Sequence, residues 1–170
     1  MGYKLGPTVA MPQFFEGPTK ISIPPNSLLT RLQLGKSAKN GPRFLNLGCS
    51  TIQHSATGKK TSITLDEEFT LPPAIPPTDG GGNIVNIPAG TVVSALELGS
   101  LSLTIYYRNV SKPEDLLSED EVRGDAAYEP DNNGGGNTVS KQNSTMTGFQ
   151  WERHADRGFV GLNIWYRAIL

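Results

Sequence analysis

The sequence predicts an all-β chain: a single antiparallel β-sandwich, jelly-roll-like, with one short helix near residues 113–123. Three observations lead there. Apolar residues make up 36% of the 170 and fall in short runs, and 19 Gly and 13 Pro punctuate those runs with turns. Within the runs, apolar and polar residues alternate with the period-two spacing of half-buried strands. One strand-forming stretch also occurs twice, residues 21–35 aligning without a gap on residues 85–99, 64 positions later. Each copy reads as a short apolar strand, a proline-led turn and a second strand. That second strand places Leu28, Thr30, Leu32 and Leu34, or Val92, Ser94, Leu96 and Leu98, on one face.

Taken in order, residues 1–20 read as an N-terminal arm, because Pro7, Pro12, Gly17 and Pro18 interrupt regular pairing. Met11, Phe14 and Phe15 could dock that arm on its own domain or on a neighbouring subunit. Residues 21–170 form the sandwich domain. After the first copy, Asn40-Gly41-Pro42 marks a turn, residues 44–52 a strand, residues 54–60 a polar loop and residues 62–65 another strand. The four prolines between Leu71 and Pro77 remove ladder donors and predict a stiff crossover. Gly80-Gly81-Gly82 and its echo Gly134-Gly135-Gly136 read as solvent-exposed glycine loops, with the dedicated calcium-loop spacing missing from both.

A second repeated phrase follows: Leu103-Thr104-Ile105-Tyr106-Tyr107-Arg108 matches Leu162-Asn163-Ile164-Trp165-Tyr166-Arg167 at an offset of 59. Alternation turns Val160, Leu162, Ile164, Tyr166, Ala168 and Leu170 inward and leaves Trp165 outward. Between these strands, Ser111-Lys112-Pro113-Glu114 is a capping-box signature that starts the expected acidic helix, closed by Gly124. Residues 125–143 form a long Gly, Asn and Asp-rich excursion, and residues 146–152 return to strand with Phe149 and Trp151 on one face. The offsets of the repeated phrases (64, 59 and 54) differ, so a strict duplication is not demonstrated.

Charge and motifs narrow the function. Fifteen Lys and Arg against 16 Asp and Glu give a net charge of -1, which supplies no cationic field for nucleic acid. No apolar run approaches the ~20 residues of a membrane span, and no signal peptide is evident. Cys49 is the single cysteine. Cys49 with His154 and Asp156, and the carboxylates Glu67, Glu68, Glu97 and Glu152, have no spacing that selects a catalytic set, so catalytic, metal and cofactor residues are all read as none. An outward Trp165 beside Arg167 suits a protein interface, where Trp, Tyr and Arg concentrate binding energy. The alternative is a carbohydrate receptor surface, with Tyr106, Trp151 and Trp165 stacking on sugar.

The phrases at residues 21–32 and 85–94 resemble the strand and turn phrases of viral, phage-like β-sandwich structural proteins, such as capsid, head-decoration, spike and tail components. The resemblance implies a non-enzymatic virion protein, localised to the particle, whose partners are copies of itself and other virion proteins. It carries no catalytic residue over. The interface residues expected are Met11, Phe14, Phe15, Trp165 and Arg167, with the excursion at 125–143.

Overall fold

The computed structural model describes residues 2–11, 14–15, 20–37, 43–61, 65–75, 77–99, 102–131, 133–154 and 159–170. They form β1 (Tyr3–Ala10), β2 (Phe14–Phe15), β3 (Lys20–Ser22), β4 (Ser27–Lys36), β5 (Arg43–His54), β6 (Leu65–Thr70), β7 (Gly80–Asn86), β8 (Thr91–Leu98), β9 (Leu103–Val110), β10 (Leu117–Arg123), β11 (Ala127–Tyr128), β12 (Gly134–Ser140), β13 (Ser144–His154) and β14 (Phe159–Ile169). The all-β class holds. The single sandwich is not confirmed, because the pairing resolves three antiparallel sheets. Among the described residues, no helix is long and apolar enough to cross a membrane.

The pairing repeats three times. Hairpins β4–β5, β8–β9 and β13–β14 form the middle of the three sheets. The strand preceding each hairpin pairs with a different one: β3 with β8, β7 with β13, and β12 with β4. The outer strands β1, β6 and β10 pair within their own units, on β5, β9 and β14. This assignment is cyclic, so units spanning 3–54, 65–110 and 117–169 close into a ring with pseudo-threefold symmetry. The Tyr3 amide donates to the Leu170 carbonyl at 3.0 Å, bringing the first and third units together.

The core has the same threefold order. Leu32, Leu96 and Phe149 hold matching positions, as do Leu34, Leu98 and Trp151, and their hairpin partners Leu45, Leu103 and Leu162 complete a buried cluster. Each hairpin then carries one unopposed residue, Thr30, Ser94 or Thr147, in a β-bulge. A bulge shifts the inward register by one. Leu29 and Val93 therefore face the main core, while Leu28 and Val92 join a second cluster with Ile52, Val110, Leu116, Leu117 and Ile169. The inward alternation expected of the last strand holds through Tyr166; Ile169, rather than exposed Ala168 or Leu170, is then the buried residue.

Two further expectations are corrected. The helix near 113–123 is a single 3-10 turn, Pro113–Asp115, followed by β10. Lys112, at φ 51°, occupies the cap position and makes no side-chain cap bond, and Leu116 and Leu117 are adjacent in the second cluster. A short acidic segment without a helical apolar stripe gains more from pairing with β14 than from a few helical turns. The N-terminal segment is part of the first unit, since β1 and β2 both pair with β5. The expected strand at 62–65 falls mostly outside the described residues, with only Leu65 included, in β6.

The glycine runs are strand crossings. Gly80–Asn86 and Gly134–Ser140 are β7 and β12, so much of the expected excursion at 125–143 is β11 and β12. Asn83 accepts from the Ile75 amide at 2.8 Å and donates to the Pro73 carbonyl at 3.0 Å. Asn137 makes the same pair of bonds, accepting from the Tyr128 amide and donating to the Ala126 carbonyl, both at 2.7 Å. Beside each Asn is a glycine with no room for a side chain: a Cβ would lie 2.3 Å from the Ile75 oxygen at Gly82 and 1.9 Å from the Tyr128 oxygen at Gly136. Gly136→Ala is accordingly expected to lower the free energy of unfolding by about 2–3 kcal/mol, against roughly 0.5 kcal/mol or less for exposed Ser140→Ala on the same strand. Equal urea midpoints for the two variants would show that the crossing opens without cost.

Candidate interaction surfaces

The bulges organise the outer faces. Ser94 donates its hydroxyl to Glu68 at 2.6 Å, and Thr147 donates to Glu121 at 2.5 Å. Glu68 and Glu121 hold matching positions on β6 and β10, opposite Arg108 and Arg167. On β1 the matching residue is Thr8, opposite Ser50, and the bulge hydroxyl of Thr30 lies 3.0 Å from the Ser50 hydroxyl.

The turn entering each hairpin overhangs a neighbouring sheet and forms a cleft. One cleft, of about 320 Å³, is lined by Pro24, Ser27, Ser94 and Arg108. The second, about 430 Å³, is lined by Gly90, Pro113, Leu117 and Arg167. The third, about 650 Å³, is lined by Thr8, Thr30, Ser50, Lys141 and Asn143. The turns are fixed by matching bonds, in which the amides of Ile52, Val110 and Ile169 donate to the carbonyls of Asn26, Gly90 and Asn143 at 3.0, 3.2 and 2.9 Å.

The aromatic residues separate. Trp151 is fully buried in the main core, so it cannot stack on a sugar; its face was set by the bulge at Thr147, which turns Phe149 and Trp151 inward together. Tyr106 and Trp165 occupy matching positions on two different sheets and form no continuous row. Each ring already holds a cation: Lys20 Nζ sits 4.2 Å from the Tyr106 centroid, and the Arg123 guanidinium 5.6 Å from that of Trp165. Trp165 is half-buried on the outer face, as the alternation predicts, and Arg167 on the same strand donates to the carbonyls of Ser118 and Glu119. Met11 packs partly against the main core. Phe14 and Phe15 are paired through their backbones with Leu45 and Phe44, and their side chains lie outside the described residues.

Cys49 and His154, weighed with Asp156 as a nucleophile set and not selected, lie apart. Cys49 is buried in β5, where burial pushes its thiol up, while His154 ends β13 beside Glu152 and Asp156 lies outside the described residues. Among the described residues, no group of three or more His, Cys, Asp or Glu side chains is placed to share a metal ion.

The residues that sequence reasoning missed are on the sheet edges. Val9, Phe69 and Val122 hold matching positions on β1, β6 and β10 and are 58%, 38% and 43% exposed. The phrases Glu68-Phe69-Thr70 and Glu121-Val122-Arg123, each preceding a hairpin, were the available signal.

Glu68 ties the second sheet together. Burial alone would raise its carboxyl, but hydrogen bonds from Lys20 and Ser94 and the charges of Lys20 and Arg108 outweigh burial and hold it below the usual carboxylate value of 4.5. A depressed carboxyl contributes stability above its unfolded value and loses it as pH falls through the lower folded one. The melting-temperature advantage of the native chain over Glu68→Gln is therefore expected to be full above about pH 4.5 and to shrink on acidification; a gap unchanged down to the acid limit would show that the network is not electrostatic. No protein-family model, curated protein or solved structure matches this chain.

Proposed function

We propose that the chain is a non-enzymatic structural building block that works by self-association and by contacts to other proteins of a viral particle. The observation that carries this is the threefold set of edge strands, each ending its sheet with an exposed apolar residue: Val9 on β1, Phe69 on β6 and Val122 on β10. An edge strand offers unpaired backbone donors and acceptors, and an apolar side chain beside them rewards pairing with another strand. Ile84, 52% exposed on the edge strand β7, adds to this surface. The viral setting is supported by the resemblance of the proline-led strand phrases. The sugar-stacking alternative is weakened, because Trp151 is in the core and the other two rings each carry a cation.

Light scattering over a range of protein concentration tests the reading. The native chain is expected to assemble as concentration rises, and Val9→Lys, Phe69→Lys and Val122→Lys combined are expected to hold it monomeric, since an edge lysine opposes strand addition. A native chain that remains monomeric throughout, or a triple variant that assembles equally well, would sink the edge-strand reading.

A further inference from the structure

The three matched clefts differ in how their polar groups are satisfied. Beside two of them an outer-strand carboxylate, Glu68 or Glu121, accepts from the bulge hydroxyl and faces a cleft-lining arginine across the strand pair. Arg108 lies 3.7 Å from Glu68, and Arg167 donates to the Ser118 and Glu119 carbonyls. In those clefts the lining arginine is already engaged by other groups of the chain.

The first unit breaks this pattern. Its two corresponding positions are Thr8 and Ser50, and with the bulge residue Thr30 they form a row of hydroxyls: Thr30 to Ser50 at 3.0 Å and Ser50 to Thr8 at 3.4 Å. A hydroxyl brings one donor and two acceptor lone pairs, so such a row retains hydrogen-bonding capacity at its exposed end, which is Thr8. Lys141, in the overhanging turn, and Lys4, on β1, also line this cleft, and among the described residues no Asp or Glu lines it. Neither lysine has an ion pair among the described residues. Asn143 donates to the Ile169 carbonyl at 2.9 Å and so fixes the turn that carries Lys141. The cleft is also the largest of the three, at about 650 Å³, within the size range of small-molecule sites.

We propose that this cleft binds a small polar ligand bearing an oxyanion, a phosphate, sulfate or carboxylate group on a hydroxylated, sugar-sized body. Lys141 and Lys4 supply the positive charge, and the exposed Thr8 hydroxyl, held by the buried Ser50 and Thr30 behind it, supplies a preorganised hydrogen bond. The cleft volume exceeds what a bare anion fills, which is why a hydroxylated carrier is included. Contacts between exposed charges are individually weak and screened by salt, so affinity is expected to fall as ionic strength rises. Ligand capture here requires no assembly of the chain.

Isothermal titration of the whole chain with inorganic phosphate, inorganic sulfate, glucose 6-phosphate, glucuronate and glucose tests this. The charged sugars are expected to bind at least about tenfold tighter than glucose. Tighter binding of the charged sugars than of the inorganic ions assigns a sugar-borne anion, and equal binding assigns the free anion. Thr8→Glu, which installs the carboxylate that the other two units hold at this strand position, and Lys141→Glu are each expected to weaken binding by about tenfold or more without lowering the melting temperature. Arg108→Gln, in a sister cleft, should leave binding unchanged. Failure of every anion to bind, or binding that survives both Thr8→Glu and Lys141→Glu in folded protein, would overturn the assignment.

Discussion

The structure depends on one exchange of strands. No unit completes its own sheet, because the strand entering each hairpin pairs with the hairpin of another unit. The Ile23 amide donates to the Ser94 carbonyl at 2.8 Å, and the Ile87 amide makes the matching bond to Thr147 at 2.9 Å. Backbone groups left unpaired on burial are costly, so a single unit leaves an edge that only its neighbours can satisfy. The ring and its shared core therefore form together, and the apolar residues that look like three independent strand pairs in the sequence become layers of one core.

This arrangement divides the work between the two faces of each sheet. Inward positions are nearly interchangeable among units: leucine, isoleucine or an aromatic ring fills the same layer. Outward positions are free to differ, and they do. Gln33 and Gln150 donate to the Gly136 and Gly82 carbonyls at 2.8 and 2.9 Å, whereas Glu97 in the matching place accepts from Tyr106 at 2.9 Å. Carboxylate and arginine at two bulges, against a hydroxyl row at the third, follow the same logic. The pseudosymmetry supplies an internal comparison in which a departure on the outer face is not explained by the needs of the core.

Buried polar groups tie the third unit to the first. Glu129 follows β11 and is almost fully buried, where it pairs with Lys36 at 3.0 Å and Arg43 at 2.8 Å on the two strands of the first hairpin. Thr145, in place of the apolar Leu28 and Val92 of the other units, donates to the Leu29 carbonyl at 2.9 Å. Removing one partner from such a buried set leaves the other unsatisfied, so a single substitution there costs more than the net stability that the intact set contributes.

The sequence by itself determined the all-β class, most strand positions and the repeated phrases, since period-two alternation and turn residues are local properties of the chain. It even held the threefold repeat, in offsets of 64, 59 and 54 that differ because the connections between matching strands differ in length. Alternation does not state which strands pair, and the same inward face serves two facing layers or three sheets around a core. Only the tertiary structure decided that choice, through the exchange of β3, β7 and β12. It also decided three local readings: the acidic segment after Pro113 pairs as a strand because β14 offers it an edge, the glycine runs are crossings because a carbonyl lies against each, and Trp151 is core because a bulge resets the face of its strand. Each depends on a partner distant in sequence, whose position a local pattern does not contain.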